Sequence, residues 1–244
     1  MSHDLIYVTD SIILKNNHLY YENTDGILKK INKTNCLNHL SELGWEEMDN
    51  EWECVLFNKM NTKSHINPYF ILDCGGSGNC LYYCIAEALN NVLQFPDCII
   101  NNNTDMESVK KLALDNITKD NFDIILMTYK SLYEEGEMYD DWNPNEIKTI
   151  NELQDKLQNS WGDHITIQLL QQAIQKNIII FNNYLFSDNE NYISSITNEL
   201  KYPESIFLYY IDNIHFQLIG KFNGNTIQTV FKRIPKEIKN KMHI

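Results

Sequence analysis

The sequence lacks the features of several large functional classes, and the first of these is a basic surface. Its 244 residues include 20 Lys and Arg against 33 Asp and Glu, which gives a formal net charge of −13. Proteins that bind nucleic acid normally carry a basic stripe. The basic cluster at residues 232–241 is short and contains a glutamate. We therefore expect no nucleic-acid partner, and the acidic balance favours a basic protein partner instead.

The sequence also lacks a long apolar run and a secretory signal. No stretch of about 18 apolar residues is present, so no membrane span is expected. The first ten residues, MSHDLIYVTD, show no cationic region followed by an apolar run. We therefore expect a cytoplasmic protein whose cysteines, at positions 36, 54, 74, 80, 84 and 98, are reduced.

Metal and cofactor motifs are missing as well. Cys74, Cys80 and Cys84 follow the spacing C-x5-C-x3-C. That spacing matches no common zinc pattern, and the usual second ligand pair is absent. The sequence contains no phosphate-binding or cofactor motif. We expect neither a metal nor a cofactor.

The hydrophobic patterning predicts an α+β fold with one mixed sheet. No internal repeat or low-complexity linker interrupts it. Alternation around KNNH predicts a hairpin within residues 5–22. Helices are predicted over 36–60 (interrupted near Gly44), 105–118 and 145–158, and two more are predicted to begin at Cys80 and around Phe122. Residues 161–181 are predicted to form a capped helix followed by a buried strand. The other predicted strands are 65–72, 205–211 and 214–222.

The segment GGSGNCLYYCIAEALNN, residues 75–91, places a cysteine at the start of a helix. Unpaired N–H groups and the positive end of the helix dipole favour the thiolate, which is the nucleophilic form. The three glycines allow the preceding loop to turn its N–H groups towards the thiol, where they can form an oxyanion hole. Cys80 is therefore a candidate nucleophile. The alternative is a small core residue beside an ordinary loop.

A cysteine nucleophile needs a base, usually histidine. Among seven histidines, His215 begins a predicted strand directly after a turn, where a side chain can project into a cleft. It lies 135 residues after Cys80, and the separation in papain-like enzymes is about 130–150. His215 is therefore the candidate base.

A third group must hold the base in orientation. Strand alternation places Gln217 and Asn213 on the same face as His215, and Asp212 on the other face. Gln217 is the first candidate, Asn213 the second, and Asp73, just before the glycine-rich loop, the third. For each of them the alternative is a polar group that is satisfied at the end of a sheet.

Three segments resemble the motifs of ovarian-tumour (OTU) cysteine proteases and occur in the order of that family. GSGNCLYYCIAEAL resembles the opening Asp-Gly-X-Cys-Leu-Phe motif, WGDHITIQLLQQAIQKNIIIF resembles the central Trp-Gly segment, and IHFQLI resembles the C-terminal His-aromatic strand. Ser77 stands where the family usually has Asp, and Gln217 where it usually has Asp or Asn. The glycine-rich opening looks more like that of OTU proteins of large DNA viruses than of cellular ones.

The resemblance implies a papain-like α+β fold in which a small mixed sheet is packed between helical regions. It implies cleavage of the isopeptide bond between the C-terminal glycine of ubiquitin, or a ubiquitin-like modifier, and lysine. Cys80 would be the nucleophile and His215 the general base. The oxyanion loop would comprise Ser77, Gly78 and Asn79. Trp161 and Gly162 would form a structural turn near the site.

The departures at Ser77 and Gln217 favour a second hypothesis, a weak or inactive module that binds ubiquitin on the same fold. Another cysteine hydrolase acting on a small amide is a third hypothesis. The acidic run YEEGEMYDD, residues 133–141, is either a solvated loop or a surface for the arginines of ubiquitin.

The resemblance also divides the chain. Residues 66–225 would form the OTU-like catalytic domain and 226–244 a C-terminal tail. Residues 1–65 would be an N-terminal extension, either a substrate-binding surface or part of the core. We expect a monomer that acts on ubiquitin or polyubiquitin in the cytoplasm, which would be the host cytoplasm if the protein is viral.

Overall fold

The computed structural model describes residues 5–57, 67–91, 93–94, 104–138, 140–182, 193–195, 199–212 and 214–242. The helices are α1 (Cys36–Leu40), α2 (Asn50–Phe57), α3 (Cys80–Asn90), α4 (Met106–Asp115), α5 (Phe122–Glu135), α6 (Ile150–Gln158), α7 (His164–Ile174) and α8 (Lys236–Lys239). The strands are β1 (Ile6–Tyr7), β2 (Ile12–Lys15), β3 (His18–Glu22), β4 (Leu28–Lys30), β5 (Trp45–Glu47), β6 (Tyr69–Leu72), β7 (Asn177–Asn182), β8 (Ile193–Ser195), β9 (Ser205–Ile211), β10 (His215–Phe222), β11 (Ile227–Gln228) and β12 (Val230–Phe231). No helix within these ranges is both long and apolar enough to cross a membrane.

The larger sheet is mixed and has the strand order β5-β6-β10-β9-β7-β8. β7 and β9 run parallel, whereas β10 pairs antiparallel with both of its neighbours, β6 and β9. β11 and β12 extend the pairing of β10 and β9. A separate antiparallel sheet contains β1 to β4, and its hairpin turns at Asn16 and Asn17, which both have positive φ. This is the polar turn predicted at KNNH.

Alternation along the strands gives the larger sheet two buried faces. Ile178, Ile180 and Leu218 share one core with apolar residues of α3, α4, α5 and α7. Ile179 and Phe181 point the other way and share a second core with residues of α2 and α8. The sheet therefore lies between helical regions, and the predicted α+β fold is confirmed.

Residues 36–57 differ from the predicted interrupted helix. Gly44, with φ +83, ends the first helical segment, and the chain then forms strand β5 before it enters α2. Trp45 is 4% exposed and pairs with Leu72 of β6. Pairing with a neighbouring strand therefore overrides the local helical pattern. Positions 58–60 of the predicted helix lie outside the described residues.

The helix predicted from residue 145 begins instead at Ile150. Thr149 accepts a hydrogen bond from the backbone of Glu152, and the Glu152 side chain accepts from the backbone of Thr149, so the two form a capping box. Residues Pro144–Glu146 form a short 3₁₀ turn. The cap, rather than the apolar pattern, therefore determines where α6 begins.

Segments on both sides of residues 66–225 contribute to the larger sheet. β5 pairs with β6, while β11 and β12 pair with β10 and β9. Phe231 is 1% exposed and stacks on Phe207 with ring centroids 4.3 Å apart. The division into extension, catalytic domain and tail stays a prediction. Strands β5, β11 and β12 of the outer segments belong to the larger sheet, whereas β1 to β4 form the separate sheet.

Candidate active site

Cys80 is the first residue of α3 and is only 6% exposed. α3 packs against β10. The backbone N–H of Phe216 donates to the Cys80 sulfur over 3.4 Å. Phe216 directly follows His215, so the packing of α3 on β10 places the sulfur of the candidate nucleophile against the backbone next to the candidate base.

The loop before Cys80 depends on left-handed backbone conformations. Gly75, Ser77 and Gly78 have φ values of 132, 61 and 82°. Glycine adopts these angles readily, whereas a left-handed conformation costs an ordinary residue about 1–2 kcal/mol. Ser77 is therefore held in a disfavoured conformation within the predicted oxyanion loop.

His215 is held by a carboxylate. Its Nε2 lies 3.2 Å from Oδ1 of Asp73, and the two side chains are 26% and 60% exposed. β6 ends at Leu72, which pairs with Leu218 of β10. Continuing this register by one residue places Asp73 opposite Gln217 and diagonal to His215, on the same face. With Nε2–H donating to Asp73, Nδ1 is the nitrogen left to exchange a proton with a reacting group.

Gln217, the first candidate from the sequence, has a different environment. Its Oε1 is buried and has no hydrogen-bond partner among the described residues. Asn213, the second candidate, lies outside the described residues. The structure thus brings Asp73 to the imidazole, and a role for Gln217 in orienting it stays a prediction. The sequence signal for Asp73 was its place at the end of an apolar strand, directly before the glycine-rich loop.

A cavity of about 330 Å³ opens beside Cys80. Half of the residues that line it are aromatic or aliphatic, and they include Tyr129, Met138, Trp161, Ile167, Tyr210 and Phe216. Glu137, Asp140 and Asp163 also line it. The first two of these belong to the acidic run 133–141 that the sequence singled out. The cavity therefore combines an apolar lining with acidic groups next to the candidate nucleophile.

Trp161 and Gly162 lie against the start of α3, as the resemblance implies. A Cβ added to Gly162 would lie 2.4 Å from Cδ2 of Leu81, which follows the candidate nucleophile. A Cβ added to Gly78 would lie 3.1 Å from Nε1 of Trp161. Two glycines therefore allow this turn to approach the glycine-rich loop and α3 closely.

Cys84, one helical turn after Cys80, is fully buried, and its thiol donates to the backbone oxygen of Phe216. Burial, reinforced by the neighbouring Cys74 side chain, raises the pKa of the Cys84 thiol well above its ordinary value. Cys84 therefore remains a thiol and does not compete as a nucleophile. In the part of the chain that the structure describes, no group of three or more His, Cys, Asp or Glu side chains could hold a metal ion.

One charged residue beside the site was not singled out from the sequence. Lys110 of α4 is 3% exposed, and its Nζ donates to Oδ1 of Asn79, the residue before Cys80. The sequence indicated only that α4 is amphipathic, and a lysine on such a helix ordinarily faces solvent. A buried lysine could be recognised only once the packing of α3 and α4 was known.

A family model described as OTU-like cysteine protease matches residues 75–217, which is more than half of the 244-residue chain. The match begins in the glycine-rich loop and ends just after His215. The chain belongs to this family. The expected membership is therefore confirmed, with Cys80, Trp161, Gly162 and His215 inside the matched range.

Several solved OTU structures are similar to this OTU chain at low identity. The OTU deubiquitinase of Wolbachia pipientis shares 12% identity with a TM-score of 0.43, and the match covers 72% of this chain and 98% of that one. An OTU domain in complex with ubiquitin shares 12% with a TM-score of 0.41, covering 71% and 80%. The viral OTU protease of Qalyub virus shares 14% with a TM-score of 0.35, covering 62% and 83%. A comparison with curated proteins gives no match.

Proposed function

We propose that this OTU protein is a thiol-dependent peptidase that hydrolyses the isopeptide bond between the C-terminal glycine of ubiquitin, or a ubiquitin-like modifier, and lysine. One observation carries the proposal. The Cys80 sulfur accepts a hydrogen bond from Phe216 N–H at 3.4 Å, while the adjacent His215 is bonded to Asp73 at 3.2 Å. A thiol, an imidazole and an orienting carboxylate are the groups that acyl transfer by cysteine requires.

In the proposed reaction, Nδ1 of His215 takes the proton of Cys80, and the thiolate attacks the carbonyl carbon of the modifier's last glycine. N–H groups of residues 77–80 hold the oxyanion that forms. His215 then gives its proton to the lysine amine as the C–N bond breaks, which leaves a thioester on Cys80. Water, deprotonated by His215, attacks the thioester and releases the modifier with a free carboxylate. The proton returns to the thiolate of Cys80.

The cavity supports a substrate that enters as an extended tail with basic residues. Its apolar lining can bury an extended segment, and Glu137, Asp140 and Asp163 supply negative charge along the same wall. A net charge of −13 favours association with a basic partner. The C-terminal tail of ubiquitin carries arginines, and this charge complementarity favours ubiquitin over a small neutral amide.

Ubiquitin carrying a C-terminal electrophile tests the proposal. We expect a covalent adduct of one ubiquitin per chain, detected by intact mass, because the electrophile sits where the scissile carbonyl would lie. Cys80→Ala should abolish the adduct. Cys84→Ala is the matched control, one turn along the same helix, and should keep it.

The outcomes of this experiment separate the hypotheses. Ubiquitin that binds Cys80→Ala and the wild type equally, without an adduct, would point to a binding module on the OTU fold. The absence of both adduct and binding would reject ubiquitin as the partner and favour another cysteine hydrolase. Polyubiquitin as a substrate, a monomeric state, a cytoplasmic location and a viral source are further proposals that rest on the sequence.

A further inference from the structure

Lys110 is a buried cation beside the glycine-rich loop. It lies on α4 and is 3% exposed, although lysine is almost never fully buried unless it is paired. Its Nζ donates to Oδ1 of Asn79 at 3.0 Å and to the backbone oxygen of Ser160 at 3.2 Å. It also lies 4.9 Å from the centroid of the Tyr82 ring. Two acceptors and one aromatic face therefore compensate its burial.

The two acceptors belong to the two segments that flank Cys80. Asn79 directly precedes Cys80 and is the N-cap residue of α3, where an asparagine ordinarily accepts a hydrogen bond from the helix backbone. Asn79 makes no such cap bond, and its oxygen faces Lys110 instead. Ser160 directly precedes Trp161 and Gly162, which line the cavity. Lys110 thus ties the glycine-rich loop to the Trp161–Gly162 turn that packs against it.

The bond to Lys110 also determines the orientation of the Asn79 amide. An ammonium group can only donate hydrogen bonds, so Asn79 must present its oxygen to Nζ. The NH₂ end of the amide is then left as a donor at the start of α3. A free asparagine side chain would instead compete for the N–H groups of the first turn, which are the donors available for an anion at residue 80.

The charge of Lys110 lies at the end of α3 that carries Cys80. Burial lowers the pKa of Lys110, and the carboxylates of Glu107 and Asp140 oppose that shift. A positive charge close to a thiol favours the thiolate. The effect has the same sign as that of the helix dipole, so the two add.

Other titratable groups also face the site, and their contribution must stay constant in any test. Around Cys80 they are His215 and Asp73 on the sheet side, Cys84 on α3 with Cys74 before the loop, and Asp163 and His164 across the cavity. Around Lys110 they are Glu107 on its own helix, Tyr82 on α3, and Asp140, which lines the cavity together with Glu137. Substituting Lys110 leaves all of them in place.

We propose that Lys110 is a positioning residue of the active site, which holds Asn79 and the Trp161–Gly162 turn around Cys80 and whose charge favours the thiolate of Cys80. The proposal deepens the proposed function and rests on Cys80 being the nucleophile. Lys110 touches neither substrate nor reacting atoms in this scheme. It acts through the residue that precedes the nucleophile and through the electrostatic potential at the sulfur.

The test compares Lys110→Met, Lys110→Gln and wild type, with Lys111→Met as the control. Lys111 is the exposed neighbour on the same helix. Met removes the charge and the donor, whereas Gln removes the charge and keeps a donor. The first readout is the rate at which iodoacetamide alkylates Cys80 as a function of pH, followed on the Cys80 peptide by mass spectrometry. The second is kcat and KM on a ubiquitin substrate.

We expect the alkylation midpoint to rise by about one pH unit in both Lys110 variants, at the low end of the effect of a nearby opposite charge. At a pH below both midpoints, the rate of alkylation should then fall about tenfold. The value of kcat should fall more in the Met variant than in the Gln variant, because Gln can still bond Asn79, and KM should change little. If the Met variant does not fold by circular dichroism, the Gln variant decides the matter.

A midpoint that coincides with that of Lys111→Met in the folded variants would overturn the proposal. A lower kcat with an unchanged midpoint would also overturn it, because loosened packing alone produces that result. Alkylation requires no ubiquitin, so its outcome is independent of the substrate. If the midpoint rises but the wild type hydrolyses no ubiquitin substrate, the role of Lys110 stands and the proposed function fails.

Discussion

At the scale of single residues, the pairing of β6 with β10 decides which side chain reaches the His215 imidazole. Asp73 and His215 are separated by 142 positions in the sequence but lie 3.2 Å apart. Gln217 lies on the same strand as His215, yet its Oε1 is buried without a partner among the described residues. Local alternation could identify residues that share a face. It could not show which residue of the neighbouring strand completes the contact.

Replacing Asp73 should therefore impair turnover more than replacing Gln217. We expect Asp73→Ala to lower kcat/KM about 100-fold, at the lower end of the effect of losing acid–base catalysis, because the imidazole loses its orientation. Gln217→Ala should lower kcat/KM by less than tenfold, since its Oε1 has no hydrogen-bond partner among the described residues. Steady-state kinetics on one ubiquitin substrate measure both, with His215→Ala as the inactive reference.

If Gln217→Ala instead lowered kcat/KM more than Asp73→Ala, Gln217 would be the residue that orients His215. Both variants should unfold at temperatures close to that of the wild type. Asp73 is 60% exposed, and within the described part of the chain Gln217 makes no hydrogen bond through Oε1. If a variant lost activity because it no longer folded, that loss would not be evidence that the residue orients His215.

The candidate nucleophile and base could be proposed from the sequence because their signals are local. A cysteine at the start of an amphipathic helix and a histidine at the start of a strand can both be read from short segments. Asp73 ranked third and Lys110 was not singled out, because each takes its role from a contact between elements that are distant in sequence. The structure therefore adds the contacts of Asp73 with His215 and of Lys110 with Asn79, which no local pattern in the sequence indicates.

At the scale of elements, the strongly periodic helices and apolar strands were predicted, and the short strands were not. β5 has three residues, and only Trp45 among them is buried. Nothing in so short a segment distinguishes a strand from one turn of a helix. Its assignment depends on pairing with β6, which itself ends beside the candidate active site.

The close approach of the Trp161–Gly162 turn to α3 can be tested at Gly162. A Cβ at this position would lie 2.4 Å from Leu81, so Gly162→Ala should force α3 or the turn to move. We expect the free energy of unfolding to fall by about 1–3 kcal/mol, with a loss of turnover. Thermal or urea unfolding measures the change.

Gly76→Ala is the stability control for this substitution. No atom of the described residues lies within 4 Å of a Cβ added at Gly76, so the unfolding free energy of Gly76→Ala should differ from that of the wild type by less than about 1 kcal/mol. Equal destabilisation by the two substitutions would show that the close approach at Gly162 does not hold in solution.

At the scale of the whole molecule, the segment after residue 225 is built into the fold. β11 and β12 pair with the central strands, and Ile227, Val230, Phe231 and Ile238 are each at most 1% exposed. Glu237 of α8 accepts hydrogen bonds from Tyr69 and Lys221, both at 2.7 Å. These contacts anchor the last helix to two strands of the sheet.

A chain that ends at residue 225 should therefore fail to fold cooperatively. Truncating one large buried apolar side chain costs about 2–5 kcal/mol, and a domain of ordinary stability has only about 5–15 kcal/mol in total. Circular dichroism and thermal unfolding of residues 1–225 against the full chain provide the measurement. A cooperative transition within a few degrees of that of the full chain would instead show that residues 226–244 are a dispensable tail.

Hydrolysis of an isopeptide-linked diubiquitin tests the central claim most directly. We expect the full chain to release monoubiquitin, and Cys80→Ala to release none under the same conditions, because no other group in the proposed mechanism can form the thioester. The Cys84→Ala control should retain activity. Failure of the wild type to cleave any diubiquitin linkage, or undiminished cleavage by Cys80→Ala, would contradict the account.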